Sequence, residues 1–335
     1  AARFGARQAV GNSLMDIEKL VNYAHQYWAR VYATVNTLLF DDEIEQAVEL
    51  IHKLYQVGVD AIIIQDFGLL ECDLPPIPLY ASTQMHNHTP ERVAFLEKIG
   101  IQRVILAREL SLDQLSAILA ATSVELETIL HGALCVCYSG QCKLSFAIGG
   151  RSGNRGQCAQ PCRRPYQLVD QKGDLIEKKG HLLSLKDLNL TEYLQDLLYV
   201  GVCSFKIEGR LKDQAYVQNV VSHYRQRLDA ILPDLDLEPS SSGQVTLDFE
   251  PDPAKTFNRS FTSYTLTGQR DEITSWQTPK HAGEPIGVVT DVSGNAFKLN
   301  VNANSLNNGD GLTFFDQDGQ LQGTAVNRVD GKYIF

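Results

Sequence analysis

From Val31 to about Leu232, short β-branched runs alternate with segments whose apolar residues recur at helical spacing. VYATVN (31–36) precedes a helix expected over 42–57, in which Ile44, Val48, Ile51 and Tyr55 share one face. AIIIQD (61–66), LYASTQ (79–84), RVILARE (103–109) and VELETILHG (124–132) read as further strands. Helices are expected to start near Thr89 and Ser111, because Thr89 with Pro90, and Ser111 with Gln114, are N-cap signals ahead of apolar periodicity. After a glycine- and cysteine-rich interruption come HLLSLKD (181–187), SFKIEGR (204–210) and a long helix ending near Leu232. Such alternation means a parallel sheet. Seven strand candidates come close to the eight of a closed barrel. The expected fold is therefore α/β, a TIM-like (β/α) barrel over residues 1–238 with an insert at 132–166.

Past PSSSG (239–243) the pattern changes to short alternating runs, QVTLDFE, PIGVVTDV, AFKLNV, GLTFFD and TAVNRV, parted by Gly, Asn and Asp turns. They predict a small all-β, barrel-like domain over residues 239–335. Within it, Lys255 and Arg259 with Phe257, Phe261 and Tyr264 form a set that either grips a single-stranded base or packs a linker onto the barrel.

Composition narrows the classes. A chain of 335 residues that is 44% apolar can bury a large core and suggests two domains. Its net charge of −10 argues against a protein that coats nucleic acid. Between Lys143 and Gly180, however, eight Lys or Arg stand against three Asp or Glu, a positive island on an acidic chain. No apolar run approaches the roughly 18 residues of a membrane span, so a soluble, cytoplasmic protein is expected.

Each strand run ends in a polar residue: Asn36, Gln65 with Asp66, Gln84, Arg108 with Glu109, His131, Lys186 with Asp187, and Lys206 with Glu208. In a parallel barrel those ends converge on the face where active sites lie. Any one of them alone could be a helix cap or a loop residue. Seven in step point to a site, since buried polar groups are paired or used. Gln84, Arg108, Glu109, His131, Lys206 and Glu208 are the candidate catalytic residues.

The interruption holds five of the seven cysteines, with Cys135, Cys142, Cys158 and Cys162 parted by six, fifteen and three residues and Cys137 as an extra thiol. Zinc sites favour tighter pairs, whereas a cubane iron–sulfur cluster takes four thiolates from separate loops. The cluster is preferred and zinc stays open. Buried hydrophobes or disulfides are the plainer alternative, but thiols set among Gly, Arg and Ser are not a core pattern, and nothing marks an oxidising compartment. His86 and His88 are weaker ligand candidates. Cys203 is expected in the core. Nucleophile-elbow, HExxH, phosphate-loop and dinucleotide fingerprints are absent.

HGALCVCYSGQCKLS and GGRSGNRGQCAQPCR, followed by SFKIEGR, resemble the collagenase-like peptidase U-32 family over residues 1–232. Its signature is met by Glu127, Gly132, Ala133, Leu134, Cys135, Gly140, Cys142, Leu144 and Ser145, with Ile129 where the family usually has Phe. The resemblance implies a TIM-like barrel. The family's first strand has no counterpart here and FGAR (4–7) looks like the loop after the second, so missing amino-terminal βα elements are expected. It also implies that Cys135, Cys142, Cys158 and Cys162 hold a 4Fe-4S cluster. The implied activity is C5 hydroxylation of a pyrimidine in RNA. Hydroxycytidine in ribosomal RNA is favoured by KTFNRSFTSYTL (255–266) and PKHAGEPIG (279–287); hydroxyuridine in tRNA, with prephenate as co-substrate, is the variant. Arg151, Arg155, Arg163 and Arg164 are then the expected phosphate contacts. Two further functions stay open: a peptidase for collagen-like chains, as the family name says, and a non-enzymatic iron–sulfur assembly or sensor protein. The peptidase lacks a recognisable nucleophile–base pair or hydrolytic metal motif.

Overall fold

The apolar runs become strands shorter than the runs themselves, and their polar ends fall in the loops beyond. The structure is a computed structural model that describes residues 3–6, 11–269, 272–281, 283–300, 306–317, 319–330 and 333–335. Arg7 of FGAR and Val301 of AFKLNV lie outside the described residues. In chain order, α1 (Leu14–Ala24) leads to β1 (Tyr32–Val35), α2 (Ile44–Gln56), β2 (Ala61–Ile64), β3 (Leu79–Ala81), α3 (Pro90–Lys98), β4 (Arg103–Ile105), α4 (Leu112–Leu119) and β5 (Glu125–Ala133). The cysteine segment follows, with α5 (Leu144–Gly149) and a hairpin of β6 (Tyr166–Val169) and β7 (Leu175–Gly180). Then come β8 (Asp187–Asn189), α6 (Leu194–Tyr199), β9 (Ser204–Ile207) and α7 (Gln214–Ile231). The two helix starts read from the sequence hold: Thr89 accepts from the Arg92 N–H, and Ser111 with Gln114 closes a capping box.

Strands β1, β2, β3, β4, β5 and β9 lie side by side and all parallel. One face of this sheet packs on α2, α3, α4, α6 and α7 through a single core that includes Val35, Ile62, Ile64, Val104 and Leu126. The opposite face alternates with it. It carries Tyr32, Ala61, Ile63, Tyr80 and Ile105, then Arg103, whose guanidinium lies 4.7 Å from the Tyr80 ring and 2.6 Å from Glu125. Ser204 donates to Glu127 at 2.8 Å on the same face. Period-two alternation thus gives one face packed on the helices and an opposite face where a small apolar and tyrosine cluster meets Arg103 and Glu127.

Two expectations fail. HLLSLKD is not a parallel strand. Its residues 181–186 form a loop bonded to a distant segment, Lys186 N–H to Ile273 O at 2.9 Å and His181 N–H to Trp276 O at 2.9 Å. β8 begins at Asp187 and runs antiparallel to the end of β5. Without that strand the sheet is open, and among the described residues no ladder joins β9 to β1. The boundary at 238 also moves. QVTLDFE forms no strand. The chain from Asp252 onward returns to the first unit: Asn219 and Asp252 exchange bonds at 2.7 and 2.8 Å, and β10 (Phe261–Thr262) pairs with β8. The all-β part begins with β11 (Val289–Ser293) and β12 (Ala296–Leu299), followed by β13 (Gly311–Phe315), β14 (Leu321–Ala325), β15 (Val329–Asp330) and β16 (Tyr333–Ile334), in a four-stranded and a two-stranded antiparallel sheet.

Candidate active site

The cysteine segment folds over the carboxyl ends of the parallel strands and is fastened there at several points. Glu109, just past β4, accepts both the Ser139 N–H and hydroxyl at 2.9 Å, and Ser139 Oγ accepts the Arg108 N–H at 3.2 Å. Gly140 lies flat against β3's exit with φ +73°, and any Cβ there would overlap the Gln84 carbonyl oxygen. Further along, Arg155 forms two 2.8 Å bonds to Glu43, whose carboxyl it holds down at about 2. Arg163 donates to Ser184 Oγ, Leu185 O and Leu134 O at 2.6–2.9 Å.

Between strand ends and segment lies a cavity of about 270 Å³. Cys135, Cys137, Cys142, Cys158 and Cys162 line its roof; Asn36, Gln84, Arg108, Lys206, Glu208 and Arg210 line its floor and wall. Burial raises the pKa of Cys162, and the thiols acting on it are Cys135, Cys158 and Cys142. Cys137 instead hydrogen-bonds toward Cys135 and Cys142, which together with burial raises its pKa. The Gln160 N–H points at Cys158 Sγ from 3.3 Å. Among the described residues, no three His, Cys, Asp or Glu side chains converge as ligands of a single ion.

The floor is charged and underpaired. Burial works against the charge on Arg108, but Cys135, Glu208 and Glu109 outweigh it and raise its pKa. Its Nε is buried with no hydrogen-bond partner. Burial, with repulsion from Arg108 and Arg210, lowers the pKa of Lys206 against the pull of Glu127 and Glu208. Arg108, Lys206 and Glu208 therefore feel one another, yet among the described residues none of the three side chains is within 4.0 Å of an ion-pair partner. Buried charges without partners are costly and point to a ligand.

Of the six catalytic candidates, Gln84, Arg108, Lys206 and Glu208 meet at this cavity. Glu109 does not line it; both carboxylate oxygens are spent on the Ser139 clamp. His131 is on the wrong face. It is 1% exposed, its Nδ1 is 3.2 Å from the Tyr224 hydroxyl, and its ring packs on Phe261 and Tyr216. Of the four arginines, Arg155 and Arg163 are internal clamps rather than free phosphate contacts. Arg151 and Arg164 are exposed, Arg151 donating to Gln157 O. Arg259 is ion-paired with Asp187 at 2.9 Å and lies over Phe257, which supports the packing role for that segment. Cys203 is exposed, not core. Sequence reading missed Ser139, and singled out Arg210 only as part of the Glu208–Gly209–Arg210 turn from strand to helix.

The neutral burial of His131 has a consequence for stability. Desolvation, with repulsion from His223 and Lys212, drops its pKa to about 3. The unfolded chain binds a proton near 6.5 that the fold refuses. Stability is therefore full above pH ~6.5 and falls as pH is lowered from ~6.5 toward ~3, by on the order of 4 kcal/mol in all. His131→Gln is expected to flatten that dependence in urea unfolding across this range; an unchanged slope would contradict the assignment.

The model of the family described as Peptidase family U32 matches residues 1–276. The chain is 49% identical over 310 residues to a 23S rRNA 5-hydroxycytidine C2501 synthase of Escherichia coli, covering 92% of this chain and 47% of that protein. It is 33% identical over 241 residues to tRNA hydroxylation protein P1 of Bacillus subtilis, covering 69% and 57%. The chain thus spans about half the length of these relatives. A solved U32 peptidase aligns with 39% of this chain and 59% of its own at 19% identity and a TM-score of 0.33.

Proposed function

The chain belongs to peptidase family U32, and from that membership we propose that it is the barrel portion of an RNA-modifying enzyme that hydroxylates a pyrimidine at C5, with cytidine in ribosomal RNA favoured over uridine in tRNA. One observation carries this reading: five thiols and an unpaired Arg108, Lys206 and Glu208 share a single cavity. We read the open sheet as the arc of a (β/α) barrel, since Arg210 from the β9 exit reaches Thr34 of β1 at 2.9 Å.

Cys135, Cys142, Cys158 and Cys162 would hold a 4Fe-4S cluster, with Arg108 and Arg163 offsetting the negative charge of the thiolates. Bound there, the cluster would supply one-electron redox chemistry. The chain's own residues do the rest. A cavity of about 270 Å³ admits an unstacked base, the form in which such enzymes take their target. Arg108 and Lys206 offer donors and Glu208 an acceptor to fix its edge. Replacing C5–H by C5–OH removes two electrons and needs an external oxygen donor. Arg108 and Arg210 match the carboxylates of prephenate, the co-substrate expected from the tRNA variant. A Cys–His peptidase mechanism gains no support, because among the described residues no histidine lines the cavity.

The test is mass-spectrometric mapping of ribosomal and transfer RNA from cells with and without the gene. Loss of one hydroxylated pyrimidine, regained on restoring the gene, is expected. An unchanged modification pattern would overturn the proposal.

A further inference from the structure

Outside the cavity stands a feature that the proposed chemistry does not use. Tyr138 is 68% exposed although its loop is fixed, with Ser139 clamped by Glu109 and Gly140 pressed on Gln84. Its ring lies 5.8 Å from that of His86, which stacks on His88 at 3.9 Å and 26°. His86 is held at φ +58°, a left-handed conformation that costs a non-glycine residue energy. Its Nδ1 is buried without a hydrogen bond, 3.5 Å from Glu109. Burial, then repulsion from His88, lowers the pKa of His86.

These three rings adjoin the cavity in sequence, since Gln84, Cys137 and Gly140 all line it. A lone exposed tyrosine needs no explanation. A tyrosine on a clamped loop, its ring tilted 57° to the nearer of two stacked imidazoles whose chain neighbours line the cavity, offers ring faces on which a base can stack. The surrounding charge agrees. Lys143, Arg151 and Arg164 are exposed on the same segment, the positive island of a chain with net charge −10. That suits a phosphate backbone and disfavours an apolar protein partner.

We propose that Tyr138, His86 and His88 form a stacking rim that holds the unpaired base next to the one in the cavity, so that the substrate is engaged as single-stranded RNA. This rests on the RNA-modifying reading above. The rim does not perform chemistry; it sets which strand segment enters and how firmly.

The experiment is fluorescence-anisotropy binding of a labelled single-stranded RNA of about eight nucleotides, at fixed salt, to the whole protein. Tyr138→Ala and His88→Ala are expected to weaken binding by about five-fold or more, and Tyr138→Phe by less than about two-fold. The salt dependence should stay as in wild type, because no phosphate contact is lost. An abasic site beside the target nucleotide should weaken wild-type binding equally, a comparison that holds even if a variant folds poorly. Equal affinity of wild type and Tyr138→Ala, with no effect of the abasic site, would overturn the rim alone. Wild-type protein that ignores single-stranded RNA altogether would overturn the rim and the RNA reading together.

Discussion

Lys206→Met is expected to abolish the proposed pyrimidine hydroxylation while raising stability by about 1–3 kcal/mol. Lys206 stands on the inner face of β9, in register with Ile129, and lines the cavity. Among the described residues its ammonium has no hydrogen bond or ion pair, and the carboxylate that attracts it most strongly is already engaged: Glu127 accepts from Ser204 at 2.8 Å and lies 3.6 Å from Arg103. Methionine fills the same volume without the desolvation cost, and Glu127 keeps its other partners. The sign with pH follows from the lowered pKa of Lys206. The fold binds this proton less readily than the unfolded chain, so the wild-type penalty is greatest below the folded pKa. It fades as pH rises toward the ordinary lysine value of about 10.4. The advantage of the methionine variant should shrink over the same interval. Urea unfolding at several pH values and RNA mapping of cells carrying the variant check both halves. A less stable or fully active variant would show that Lys206 is a structural lysine.

Much of this arrangement was legible in the order of residue types. Caps at Thr89 and Ser111 and the runs that become β1 to β5 are local signals and appear where expected, and the five cysteines of one short segment line one cavity. What failed depends on partners far away in sequence. His131 should face inward with Glu127 and Ile129, but the β5–β9 ladder shifts register between Ile129 and His131 and turns the imidazole to Tyr224. Arg155 looks like a solvent cation, yet its carboxylate partner Glu43 is 112 residues away. The loop at 181–186 alternates like a strand because it lies against residues 273–276, which no nearby pattern reveals. PSSSG reads as a boundary because β10, only two residues long, is too short to announce the chain's return to the sheet.

Cysteine replacements separate the four proposed ligands from the fifth thiol. Cys142→Ser is expected to strip most of the iron and the visible absorbance from anaerobically purified protein, because three sulfurs and a poorer oxygen ligand remain. Cys137→Ser should retain both. All five thiols line the cavity, and the proposed quartet does not include Cys137. Its loss leaves the quartet whole. The decisive measurement is the iron and acid-labile sulfide content of the wild-type protein purified without oxygen. About four of each per chain is the expected result. One zinc ion per chain, or five freely titratable thiols and no metal, would contradict it.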